Sequence, residues 1–315
     1  MNTASTRLLA TLLLLGTASA QAVVPPDVAE KLVAIGAVIN PAATAPLYAH
    51  RMCGKEPSVN TRVERDLAYG PDERNLLDVF SSVDADATHG WPVIVFVHGG
   101  AFVGGNRRTG PDSPFYDNVM QWAVHNGMVG VNMTYRLAPK DPWPAGPEDI
   151  AQALRWVREK IASRGGDPRR VFLFGHSAGA SHVAAYLSRP AFMQASGMVL
   201  AGAMLLSGVY RITPELMAQS PTYPRYFGSE VERYAERSSL DGLIVTSTPL
   251  WVGSAELDPP AFKEQAELLR SELRRAGRRF GTADFAAHSH MSEAYSIHSD
   301  DSSVGDALLA FVRGQ

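Results

Sequence analysis

Residues 171–187 constrain this chain more than any other stretch. Val171-Phe172-Leu173-Phe174 is apolar and β-prone, Gly175-His176-Ser177-Ala178-Gly179 follows in a G-x-S-x-G pattern, and residues 180–187 suit a helix. A strand that turns at once into a helix needs small residues on both sides of the bend. The two glycines supply that room, so the Ser177 hydroxyl is expected to stand out above a sheet. A serine hydroxyl becomes a useful nucleophile only when a neighbouring base takes its proton.

A second stretch points the same way. The buried-strand pattern of 92–97 runs directly into His98-Gly99-Gly100-Ala101-Phe102-Val103-Gly104-Gly105-Asn106. A glycine-rich loop at the end of a strand can turn backbone N–H groups toward a developing oxyanion. A phosphate-cradling loop would carry G-x-x-x-x-G-K-[ST], and no Lys-Ser or Lys-Thr follows here.

His98-Gly99-Gly100-Ala101, Tyr135-Arg136-Leu137-Ala138-Pro139 and Gly175-His176-Ser177-Ala178-Gly179 occur in that order. Together they resemble the α/β-hydrolase carboxylesterases, in particular the hormone-sensitive-lipase-like and feruloyl-esterase/arylformamidase-like branches. The similarity covers roughly residues 60 to 315. It departs from the lipase-like pattern at Ala101, where a third glycine is usual. The donors needed there are backbone N–H groups, so the departure bears on subfamily more than on chemistry. The resemblance implies an α/β-hydrolase fold: a mostly parallel central sheet, helices on both faces and a small insertion near the active site.

Residues 61–68 and 75–80 read as a β-pair. Further strands are expected at 92–97, 128–134, 171–174, 203–207, 250–254 and 279–286. Helices are expected at 113–126, 147–163, 261–276 and 304–312, and an amphipathic helix at 28–39 with Asp27 as its N-cap. Residues 210–242 interrupt this alternation with Tyr210, Tyr223, Tyr226, Phe227 and Tyr234. Two readings stand for them: an insertion beside the substrate pocket, or a surface excursion whose aromatics pack on their own helix. Phe102, Trp143, Tyr223 and Tyr226 are candidate pocket walls. Nothing in composition marks a second domain, so 21–315 is expected to be one.

A serine nucleophile needs a histidine base, and the base needs a carboxylate to fix its tautomer. In the fold that this chain resembles, the order is serine, acid, histidine, all in loops at one end of the sheet. Glu256 and Asp258 both follow the 250–254 strand. The resemblance favours Asp258, which sits in the family's Asp-Pro context, with Glu256 as the alternative. Among His288, His290 and His298, His290 matches the family's histidine followed by an apolar residue and Ser, with His288 as the alternative. His98 and His176 are expected to brace their loops, and His182 to lie on the helix after the nucleophile. The oxyanion donors implied are the N–H groups of Gly100, Ala101 and Ala178.

Bulk properties narrow the rest. The net charge of −3 argues against nucleic acid as a partner, since that binding rests on clustered Lys and Arg. Cys53 is the only cysteine, so no internal disulfide can form. It reads as a buried small hydrophobe. His288 and His290 are two apart with no H-E-x-x-H and no cysteine pair, so neither a metal nor another cofactor is expected. Arg7, the leucine-rich run at 8–15 and Ala18-Ser19-Ala20 before Gln21 read as a cleaved secretory signal, residues 1–20. That run is too short to span a bilayer. The expectation is an exported serine ester hydrolase, periplasmic or extracellular, acting on small short-chain or aromatic esters without a stable membrane anchor. An amidase or arylformamidase on the same residues is the alternative, and a catalytically silent binding member of the fold a third.

Overall fold

Val93, Val95 and Val97 point to one face of their strand and Ile94 and Phe96 to the other, and all five are buried. A strand with apolar residues on both faces has to sit inside a sheet covered on both sides. That is the architecture found. The computed structural model describes residues 24–53 and 60–315. The expected secretory segment lies outside them.

Eight strands form one sheet: β1 (Thr61–Ala68), β2 (Leu76–Ser82), β3 (Trp91–Val97), β4 (Val129–Met133), β5 (Gly166–His176), β6 (Gly202–Leu206), β7 (Leu250–Leu257) and β8 (Gly281–Ser289). Their order is β1-β2-β4-β3-β5-β6-β7-β8. β2 runs antiparallel to both of its neighbours, and every other pairing is parallel. The expected strands and helices are all present, with ends shifted by a few residues.

The two faces carry separate cores. Val93, Val95, Val97, Val171 and Leu173 pack against helices Ala145–Lys160, Ala178–Leu187 and Pro260–Arg275, through residues such as Leu154, Val183 and Leu269. Ile94, Phe96, Phe172 and Phe174 pack against Pro26–Ile35, Asp117–His125 and Ser303–Arg313, through Leu32, Val119 and Leu308. Each such aliphatic or aromatic side chain removed from water contributes roughly 1.5–3 kcal/mol. A rigid sheet of this kind lets the loops beyond its strand ends hold a fixed geometry.

Three local expectations are corrected. The first helix begins at Pro26, Pro25 takes the N-cap position, and Asp27 lies in the first turn without capping. Proline suits the first helical position because its missing N–H has no intrahelical acceptor there. β7 continues through Glu256 to Leu257, since Ala255 and Leu257 still pair with Phe285 and Ser289 on β8. Cys53 is exposed rather than buried. Its backbone N–H bonds to the carbonyl of His298, which pins the chain at the surface. Partial desolvation and the Asp300 carboxylate push its thiol up, away from the reactive thiolate.

Candidate active site

The carboxyl ends of five neighbouring strands, β3, β5, β6, β7 and β8, deliver the site. They lead into the 98–105 loop, Ser177, Ser207, Asp258 and His290 in that order across the sheet. Ser177 has φ 58° and ψ −124°. This sparsely populated conformation costs on the order of 1–3 kcal/mol and persists only where its surroundings impose it. Here they do: the Ser177 N–H donates to the Leu206 carbonyl, and the Ser181 N–H to the Ser177 carbonyl. The elbow also demands small neighbours. A Cβ on Gly179 would lie 2.0 Å from the Val97 carbonyl oxygen, and one on Gly99 would lie 3.0 Å from the Ser177 Cβ.

His290 Nε2 lies 2.8 Å from Ser177 Oγ, and His290 Nδ1 lies 2.7 Å from Asp258 Oδ1. Serine, histidine and carboxylate thus form one hydrogen-bonded line. Asp258 is fully buried and uses its second oxygen as well, accepting from the Ser207 hydroxyl at 2.5 Å and the Ala255 N–H at 2.9 Å. Burial pushes the Asp258 carboxyl up, but hydrogen bonding and charge from His290, with Ser207 and Ala255, hold it below the ordinary carboxylate range.

The rival residues are occupied elsewhere. Glu256, exposed on β7, accepts from the Ala287 N–H at 2.7 Å. His288 lies within β8 and is held by the Ser292 and Ser303 hydroxyls at 3.0 and 2.8 Å, with Asp301 at 3.5 Å. His298 packs against His125, its ring centroid 5.7 Å away.

The glycine loop folds tightly over the elbow. A Cβ at Gly100, where φ is 139°, would meet the Gly104 carbonyl oxygen at 2.1 Å, so only glycine fits. Ala101 and Phe102 both take positive φ. The N–H groups of Gly100, Ala101 and Ala178 bond to no protein acceptor among the described residues. His98 Nδ1 bonds the Gly99 carbonyl at 2.6 Å and its ring stacks on Tyr135, while His176 Nε2 donates to the His290 carbonyl at 2.8 Å.

A cavity of about 890 Å³ opens over Ser177 and His290. Phe102, Tyr116, Tyr223, Phe262, Met291 and Tyr295 give it apolar walls, and Ile39 and Pro41 reach its rim. Trp143 and Tyr226 do not line it. Tyr226 lies behind the wall, stacked on Phe102 at 4.6 Å with its hydroxyl 3.1 Å from His182, and Trp143 donates its backbone N–H to the Tyr226 carbonyl. The 210–242 region reaches the cavity through Tyr223, and its other aromatics are buried rather than left at the surface. Its short helices place Tyr223 in the cavity, while Tyr226 and Phe227 pack on Phe102 and on each other.

Residues 94–292, well over half the chain, match the family described as alpha/beta hydrolase fold. The chain belongs to the alpha/beta hydrolase fold family. This alpha/beta hydrolase is 31% identical over 230 residues to esterase LipQ of Mycobacterium tuberculosis, an alignment covering 67% of this chain and 53% of LipQ. It is 44% identical over 101 residues to carboxylesterase NlhH of the same organism, covering 31% of this chain and 30% of NlhH. The chain thus spans about half or less of these relatives' lengths. Esterase B from Lactobacillus rhamnosis superposes with a TM-score of 0.70 at 17% identity, covering 91% of this chain and 95% of that one. EstE1, a thermophilic carboxylesterase from a metagenomic library, gives 0.66 at 22% identity, covering 87% and 97%. Those two superpositions speak for the fold.

Sequence reasoning missed Ser207, which holds the outer oxygen of Asp258, and Glu293, buried close to His176 and His290. Neither belongs to a motif. The signal the sequence offered for Ser207 was a polar residue directly after the apolar run at 203–206. His176, His290 and Glu293 bring one potential ligand atom each within 4.8 Å of one another. Ser177 and Asp258 occupy both His290 nitrogens and a carbonyl occupies His176 Nε2, while both Glu293 oxygens are buried without a hydrogen-bond partner.

Buried neutral histidines make this alpha/beta hydrolase acid-sensitive. Burial pushes His98, His176 and His182 down to about 3, from an ordinary value of 6.5. Between those limits the unfolded chain binds protons that the folded protein refuses. Their contribution is fully present above pH 6.5 and falls as pH drops toward 3, by roughly 1.4 kcal/mol per unit for each histidine. Glu293 and Asp149, pushed up by burial, work in the opposite sense, but burial also pushes His288 and His298 down, so five histidines stand against two carboxyls. Urea-unfolding midpoints should therefore drop sharply between pH 7.5 and pH 5. Equal midpoints would contradict the neutral-histidine account.

Proposed function

We propose that this protein is a serine carboxylic-ester hydrolase working through an acyl-enzyme. One observation carries the reading: the hydrogen-bonded line Ser177–His290–Asp258, lying beneath a largely apolar cavity. The names of the relatives, esterase and carboxylesterase, support it.

The chemistry follows from the donors and acceptors. Asp258 accepts from His290 Nδ1–H, which leaves Nε2 unprotonated and facing the Ser177 hydroxyl. As Oγ adds to the ester carbonyl carbon, Nε2 takes its proton. The carbonyl oxygen becomes an anion received by the N–H groups of Gly100, Ala101 and Ala178, which have no other acceptor among the described residues. Collapse of this intermediate breaks the bond to the alcohol, which leaves with the proton from His290. Water, deprotonated by His290, then releases the acid and restores Ser177. Phe102, Tyr223 and Phe262 favour a short acyl chain or an aromatic group in the cavity. In this reading residues 21–315 form one catalytic domain, with 210–242 as a cap beside the pocket.

A panel of p-nitrophenyl esters, matched anilides and N-formyl arylamines tests the reaction class. The esters should turn over with kcat/KM of about 10⁴ M⁻¹s⁻¹ or more. Preference for N-formyl arylamines would make the protein a formamidase, and inertness toward the whole panel would favour a silent binding role.

Export belongs to the same proposal. It rests on the leucine-rich run at 8–15 and the Ala18-Ser19-Ala20 site. Intact mass of protein secreted by an expressing bacterium should match a chain beginning at Gln21. A full-length chain held in the cytoplasm would contradict it.

A further inference from the structure

Behind the Ser177–His290–Asp258 line lies a second carboxyl that the proposed chemistry does not use. Glu293 belongs to a short helix three residues past His290, and its side chain is fully buried. The groups facing it are Asp258 from the end of β7, His176 from the end of β5, Ser207 from the end of β6, and His290. Tyr210, also buried, is the further titratable group that feels it. No arginine or lysine is among them.

Two facts fix its charge state. Neither Glu293 oxygen accepts a hydrogen bond of good geometry, although His176 Nε2 lies 3.3 Å from Oε1. That Nε2–H is directed at the His290 carbonyl, 2.8 Å away. Burial also keeps His176 neutral, so it offers no counter-charge. An ionised carboxylate with no cation and no good donor, beside the negative Asp258, would be very costly in such a site. Burial first, and then Asp258, push Glu293 well above the ordinary carboxylate range, and the neighbouring Ser207 hydroxyl pulls it the other way by less.

We propose that Glu293 is a positioning residue acting as a neutral acid, whose O–H is given to Ser207 so that the Ser207 hydroxyl stays turned toward Asp258. The Ser207 hydroxyl can donate only once, and its 2.5 Å contact with Asp258 Oδ2 takes that proton. Its lone pairs remain, and a protonated Glu293 is a donor that can use one. The order is then Glu293 to Ser207 to Asp258, with His290 donating to Asp258 from the other side. Asp258 stays the sole negative charge beneath His290, and its carboxylate plane is fixed by donors on both oxygens. This inference rests on the proposed roles of Ser177, His290 and Asp258.

Glu293→Gln is the decisive variant, because an amide keeps a donor and the volume while removing any charge. It should keep kcat close to the parent value, and the acidic limb of the kcat/KM profile should stay in place. If Glu293 were ionised, deleting its charge within 4.8 Å of the base would move that limb down by about one pH unit or more. Such a shift would overturn the proposal. Glu293→Ala removes the donor and should lower kcat, by up to about 100-fold, with little change in KM. Parent-like kcat in a folded Glu293→Ala protein would also overturn it. Infrared difference spectra of the parent against Glu293→Gln at neutral pH should contain the carbonyl band of a protonated carboxyl. This arm does not depend on catalysis: its absence refutes the neutral acid even if the esterase reading holds, and an inert parent protein refutes the esterase reading alone.

Discussion

Ser177→Ala should lower kcat on a p-nitrophenyl ester by about 10⁴-fold or more, because removing the nucleophile of such a unit forfeits the covalent route entirely. The fold should be unaffected. Only one hydroxyl is lost, and the backbone bonds from Ser177 to Leu206 and from Ser181 to Ser177 do not involve it. The cavity walls and the three N–H donors remain, so KM should change little while kcat collapses. Single-turnover and steady-state rates on protein free of host esterases would check this. Retained turnover with a normal circular dichroism spectrum would remove Ser177 from the mechanism.

Asp258→Asn should be nearly as damaging, by roughly 10⁴-fold in kcat. An amide presenting NH₂ to His290 would favour the tautomer with its proton on Nε2, leaving nothing to accept from Ser177. An amide oxygen would keep the tautomer but lose the charge that stabilises the imidazolium. Burial sharpens the effect, since Asp258 is fully buried and its three hydrogen-bond partners are all protein groups. Glu256→Gln is the control. Its carboxylate accepts only the Ala287 N–H at the surface, and a glutamine oxygen can accept the same bond. Parallel kcat measurements should rank Asp258→Asn far below Glu256→Gln, and the reverse ranking would move the acid two residues upstream.

Much of this was legible in the chain because the constraints were local. The elbow glycines face contacts of 2.0 Å and 2.6 Å that exclude any side chain, and such positions leave a pattern in sequence. The two-faced strands did so too, through unbroken apolar runs at 93–97 and 171–174. The resemblance then ordered acid after nucleophile and base after acid, which selected Asp258 and His290 over Glu256 and His288. What escaped depends on partners distant in the chain. Glu256 reads as the end of a strand because it is charged, yet β7 continues through it, since the β8 backbone lies alongside. Tyr226 was expected in the cavity, but Phe102 stands in front of it. Ser207 and Glu293 carry no motif at all, and they matter only because three strand ends converge on Asp258.

The most direct test is covalent labelling of the pure protein with a fluorophosphonate, read by intact mass and peptide mapping. Such a probe reacts with a serine only when a base activates it and an oxyanion site receives the phosphonyl oxygen. The expected result is one adduct per chain, on Ser177, absent from Ser177→Ala and strongly slowed in His290→Ala. No adduct on the folded parent protein, or an adduct on another residue that persists in Ser177→Ala, would contradict the account.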